Sequence, residues 1–163
     1  MSENLKIASG NKDDKYQLLY RQILQLSEVE KDPVALMANV SSMIHYTFNF
    51  LWTGFYRVSD RELVLGPFQG PPACMRIPYG KGVCGKAWEY GKTIIVPDVD
   101  SFPGHIACSS DSRSEIVVPI KNNKSVTGVI DIDSDRLSTF DETDALWLER
   151  IASSLISVQL SIK

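Results

Sequence analysis

The sequence predicts an α+β fold: a central antiparallel six-stranded sheet, helices packed on one face and a ligand pocket on the other. Three observations predict it. Helical periodicity is confined to the two ends of the chain, up to about Ile44 and again beyond Thr139. Strand-like runs separated by turn residues fill the middle, with one short helix inserted among them. Along those runs apolar and polar residues alternate, so the sheet has one face for the helices and one of different character.

Residues 1–13 are polar and aperiodic and read as a flexible arm, leaving 14–163 as one domain. From Tyr16 the positions Tyr16, Leu19, Tyr20 and Ile23 follow helical spacing to about Glu28. Asp32 caps a second helix, Pro33 suits its first turn, and Met37, Val40 and Ile44 form its buried stripe. Strands are expected at Leu51 to Val58 and Glu62 to Leu65, the second ending in the turn-rich run GPFQGPP. Cys74 to Pro78 reads as a third strand. Tyr79-Gly80-Lys81-Gly82 then turns into a short helix from about Val83 to Tyr90, and Thr93 to Val96 is a short strand. A loop from Pro97 to about Arg113 carries Pro103, Gly104, His105 and Cys108; loops of this length in a compact domain are usually functional or disordered. Strands at Glu115 to Ile120 and Val126 to Ile132 flank the polar turn KNNK. The last helix starts near Thr139-Phe140-Asp141-Glu142, which reads as a capping box, and carries Leu148, Ile151, Leu155 and Val158.

A chain of 163 residues can bury one core without staples, whereas two domains would each be thin. Hydrophobic residues at 44%, charged residues at 23% and a net charge of -3 are ordinary for a soluble protein and offer phosphate backbones no attraction, so no nucleic-acid partner is expected. The N-terminus has no apolar h-region, and no apolar run approaches the ~18 residues that span a bilayer. No membrane partner and a cytoplasmic location are therefore expected. Three cysteines is an odd number, which argues against a secreted disulfide framework. In a reducing compartment such thiols are free, metal-bound or catalytic.

Alternation along Val126 to Asp133 puts Val126, Ile130 and Ile132 on one face and Asp131 with Asp133 on the other. In the neighbouring strand Ile116, Val118 and Ile120 share one side, and Glu115 with Val117 the other. If the apolar sides face the helices, Glu115 joins Asp131 and Asp133 in one acidic cluster; the competing reading is a solvated outer face. Cys108 lies in the loop entering the Glu115 strand and can overhang that face. Cys84 sits in the first turn of a helix, where unpaired N–H groups favour a thiolate. Cys74 begins the preceding strand. Each of these is also readable as an inert buried thiol. Cys74, Cys84, Cys108 and His105 supply the ligand types of a zinc site, but no C-x2-C knuckle is present, so no metal is expected. His105 either assists a thiol or shapes its loop, and His45 reads as a helix-surface or packing residue. On the first long strand Trp52, Gly54 and Tyr56 share a face. They are either core or the walls of a small cavity in which Gly54 leaves room for a ligand.

The stretches Trp52-Thr53-Gly54-Phe55-Tyr56, Leu65-Gly66-Pro67-Phe68-Gln69-Gly70, Gly80-Lys81-Gly82-Val83-Cys84-Gly85, Val96-Pro97-Asp98-Val99, Pro103-Gly104-His105-Ile106-Ala107-Cys108, Ser114-Glu115-Ile116-Val117-Val118-Pro119-Ile120 and Gly128-Val129-Ile130-Asp131-Ile132-Asp133 resemble the free methionine-(R)-sulfoxide reductases. The resemblance spans about Asn49 to Phe140, and all three family cysteines have counterparts here. It implies a GAF-type domain that reduces free L-methionine-(R)-sulfoxide, with no bound cofactor, thioredoxin as the source of reducing equivalents, and a homodimer as the expected assembly. By the same resemblance Cys108 is the nucleophile, Cys84 and Cys74 are the resolving thiols, Glu115, Asp131 and Asp133 bind substrate, and Trp52 and Tyr56 wall the pocket. Between the resolving candidates Cys84 is preferred for its helix position, and exchange of roles between Cys84 and Cys108 stays open. A GAF sensor without catalysis is the alternative function.

Overall fold

The computed structural model describes residues 4–106 and 108–155, and Val158 of the expected last helix lies outside them. In chain order the elements are α1 (Lys12–Val29), α2 (Pro33–Phe48), β1 (Trp52–Ser59), β2 (Glu62–Gln69), β3 (Arg76–Pro78), α3 (Gly82–Tyr90), β4 (Ile94–Val96), β5 (Ser114–Lys121), β6 (Val126–Ser134) and α4 (Glu142–Ser154). The six strands form one sheet in the order β3-β2-β1-β6-β5-β4. Every adjacent pair is antiparallel, as the grouping of strands predicts.

The two faces divide as the alternation requires. Phe55, Ile116, Val118, Ile120, Ile130 and Ile132 point into a core completed by α1, α2 and α4. Trp52, Tyr56, Val117 and Val129 point the other way, into a second core with Val83, Cys84 and Ala87 of α3. The site face is therefore not left bare. Three helices cover one face, and the short α3 closes part of the other.

Four local expectations are corrected. Helix α1 begins at Lys12, because Asn11 forms a capping box with Asp14, so Lys12 and Asp13 belong to the helix rather than to the arm. Strand β2 continues through Gly66-Pro67-Phe68 to Gln69, a stretch whose composition reads as a turn. The register of β1 and β2 shifts between Gly54 and Tyr56, and this bulge is where a proline without an N–H can sit in a strand. Gly66 fits there because a Cβ would stand 3.0 Å from the Phe55 carbonyl oxygen. Strand β3 starts at Arg76, which leaves Cys74 in the loop before it. Helix α4 is capped by Asp141 with Asp144 as its reciprocal partner, not by Thr139 with Glu142.

Candidate active site

Cross-strand partners in an antiparallel pair lie on the same face, so the register places the acidic residues together. Asp133 on β6 stands opposite Trp52 on β1 and Glu115 on β5, while Asp131 stands opposite Gly54 and Val117. The acidic cluster is a consequence of strand parity, and it is not solvated. Glu115 is 5% exposed and Asp131 6%.

Burial raises the carboxyls of Glu115 and Asp131 well above the carboxylate range, and neighbouring like charges add to it. Burial also pushes Asp133 up to about 6, against the opposing effects of a Ser112 hydrogen bond and nearby His105. The Ser112 hydroxyl donates to Asp133 Oδ1. His105 Nε2 lies 3.5 Å from Glu115 Oε2, so this imidazole partners a carboxylate rather than a thiol. Neither contact is visible in the spacing of the sequence, because both come from the loop between β4 and β5.

Trp52 and Tyr56 form the aromatic wall. The indole stacks between Tyr56, at 6.0 Å between centroids, and Phe68, at 5.3 Å. Of the two readings of this face, the one in which Gly54 leaves space for a ligand does not hold. A Cβ there would meet the Trp52 ring at 2.4 Å, so the glycine makes room for the indole itself. Both aromatics hold the loop before β3: Trp52 Nε1 donates to the Pro71 carbonyl at 3.1 Å, and the Tyr56 hydroxyl to the Cys74 carbonyl at 2.9 Å.

The sulfur atoms differ from the expectation in two respects. Cys108 is bonded to Cys74, 34 residues away, and not to Cys84, the preferred resolving partner. Cys84 is a free thiol buried beneath them, with Sγ 4.0 Å from Glu115 Oε1. Its position in the first turn of α3 does not make it a thiolate. Burial, then the charges of Asp131 and Glu115, raise it well above the ordinary thiol range, because desolvation and two carboxylates outweigh a helix terminus. The disulfide also removes two of the four donors from the zinc set Cys74, Cys84, Cys108 and His105.

These groups enclose a cavity of about 30 Å³ bordered by Trp52, Tyr56, Ile106, Cys108, Glu115 and Asp133. Cys84, Asp131 and His105 also face it, whereas Cys74 stands outside. The site thus joins a disulfide-bonded pair of cysteines to a buried acidic floor whose carboxyls are pushed above the usual carboxylate range. Among the described residues no helix is long and apolar enough to cross a membrane.

Residues 38–156 match the GAF domain family, so the fold and the pocket on the sheet face opposite α1, α2 and α4 are those of a GAF domain. The chain is 51% identical over 156 residues to GAF domain-containing protein A of Dictyostelium discoideum, covering 95% of this chain and 99% of that one. It is 44% identical over 151 residues to the free methionine-R-sulfoxide reductase of Saccharomyces cerevisiae, covering 87% of this chain and 84% of that one. The crystal structure of the Neisseria meningitidis free methionine-R-sulfoxide reductase in complex with its substrate superposes with a TM-score of 0.93 at 48% identity, covering 94% of this chain and 93% of that one. This chain belongs to the free methionine-R-sulfoxide reductases and is an oxidoreductase.

Proposed function

We propose that this protein reduces free L-methionine-(R)-sulfoxide to L-methionine, with Cys108 as nucleophile, Cys74 as resolving thiol and thioredoxin as the external dithiol. The observation that carries the reading is the Cys74–Cys108 disulfide, with Cys108 alone of the two facing a cavity floored by Glu115, Asp131 and Asp133.

Ionised carboxylates of the floor bind the substrate's ammonium group, which a methionine sulfoxide inside a polypeptide lacks. Trp52 and Tyr56 enclose its S-methyl group, and the direction of the sulfoxide oxygen then distinguishes the R epimer from the S epimer. The Cys108 sulfur attacks the sulfoxide sulfur while a carboxyl kept protonated by burial, on Glu115 or Asp131, gives its proton to the departing oxygen. The oxygen passes to Cys108, leaving methionine and a cysteine sulfenic acid. The Cys74 thiol then bonds to the Cys108 sulfur and water leaves. Two electrons from thioredoxin reopen the disulfide. Cys84 takes no covalent part in this scheme, because its buried thiol stays protonated beside the carboxylates.

Separated R and S epimers of free methionine sulfoxide, supplied with dithiothreitol, provide the test. Only the R epimer is expected to be consumed, and Cys108→Ser abolishes turnover. Equal consumption of both epimers rejects the pocket, and activity surviving Cys108→Ser moves the nucleophile to another thiol.

A further inference from the structure

The pocket floor contains a mixed sulfur and oxygen donor set, whose thiol, Cys84, has no covalent role in the proposed reduction. Single donor atoms of Cys84, Glu115 and Asp131 all lie within 4.8 Å of one another, and all three side chains are buried. Asp131 Oδ1 has no hydrogen-bond partner although the residue is only 6% exposed. A buried polar oxygen without a hydrogen-bond partner is costly, and Asp131 lies beside the Cys84 thiol and the Glu115 carboxyl. His105, on the second oxygen of Glu115, brings a nitrogen to the edge of the same space.

We propose that Cys84, Glu115 and Asp131 bind a borderline-soft divalent cation of the zinc class, with the fourth position open to water. The donor set selects the ion. Magnesium and calcium take oxygen cages, whereas zinc accepts sulfur, oxygen and nitrogen together in a tetrahedron. Zinc bonds of about 2.3 Å to sulfur and about 2.1 Å to oxygen separate those two atoms by about 3.6 Å. The Cys84 to Glu115 gap of 4.0 Å therefore needs to close by only about 0.4 Å. The cavity of about 30 Å³ admits an ion and one water. Binding is a proton exchange without oxidation: metal bonds to one sulfur and two oxygens replace the thiol proton and any carboxyl protons, which pass to solvent. None of the three ligands is a member of the disulfide, so the site is the same set of atoms in either redox state. Resting on the reductase reading, the ion stands where the substrate's ammonium group binds and competes with it.

Cobalt(II) is the probe, because a thiolate bonded to it gives a charge-transfer band in the near ultraviolet. With Cys74 and Cys108 joined, Cys84 is the one remaining thiol of the three, so any such band reports Cys84. The titration is run on the disulfide form and on a reduced Cys74→Ser/Cys108→Ser variant. Expected are saturation at about one equivalent, displacement by zinc(II), loss of the band in Cys84→Ser, and binding weakened about tenfold or more in Asp131→Asn. Absence of the band from both forms, or binding indifferent to Asp131→Asn in a variant of unchanged circular dichroism, overturns the proposal. Reduction of free methionine-(R)-sulfoxide by a protein that fails this titration refutes the cation site alone. Cobalt bound through Cys84 in a protein that reduces no sulfoxide refutes the reductase reading alone.

Discussion

Asp133 carries a stability cost that follows from its burial in the pocket floor. Its carboxyl is raised from 3.8 to about 6, first by burial. The folded state then holds the proton more tightly than the unfolded chain, and stability contributed by that proton is lost as pH rises from about 4 through 6. Asp133→Asn removes the ionising group while keeping an oxygen to accept from Ser112. Urea unfolding should therefore find the variant more stable than the parent by about 1–3 kcal/mol at pH 7, with the difference vanishing near pH 4. Reductase activity should fall in the same variant. Glu115, Asp131 and Asp133 were legible as a cluster because side-chain direction on a strand depends only on parity. Ser112 and His105 were not assigned to it, since a loop's side chains obey no such period.

Two elements distant in sequence, α1 and α4, are joined through one buried carboxylate. Asp144 is fully buried, accepts from the Tyr16 hydroxyl at 2.8 Å and pairs with Lys12 Nζ, which also contacts Asp141 at 2.8 Å. Burial, followed by the charge of Asp144, raises the Tyr16 phenol well above its ordinary range, so Tyr16 remains a donor. Asp144→Ala leaves that hydroxyl without its partner inside the core and removes the reciprocal cap of α4. A loss of about 3 kcal/mol is expected in urea unfolding, with activity per folded molecule unchanged. The helices themselves were readable from apolar spacing and from Asp32-Pro33. The start of α2 was readable too, but those of α1 and α4 were not, because several polar residues near each can serve as the cap, and tertiary contacts such as Lys12 with Asp141 help choose among them. The placement of α3 opposite the other helices was equally hidden, because periodicity gives a helix a buried side without naming what that side meets.

For the molecule as a whole, an antiparallel sheet with two unlike faces followed from strand grouping and alternation, whereas the strand order, the second apolar cluster and the choice of disulfide partner did not. Cys74 meets Cys108 because Trp52 and Tyr56 hold the Pro71 to Cys74 loop over the pocket, a juxtaposition set by long-range packing. The same bond leaves only about 30 Å³ beneath it, room for a water or two but not for an amino acid. The amino-acid product must vacate its seat before the sulfurs can meet, and the second reactant arrives only after the first has gone. Chronology is thus imposed by volume, and initial rates measured against both reactants should give the parallel reciprocal lines of a ping-pong sequence.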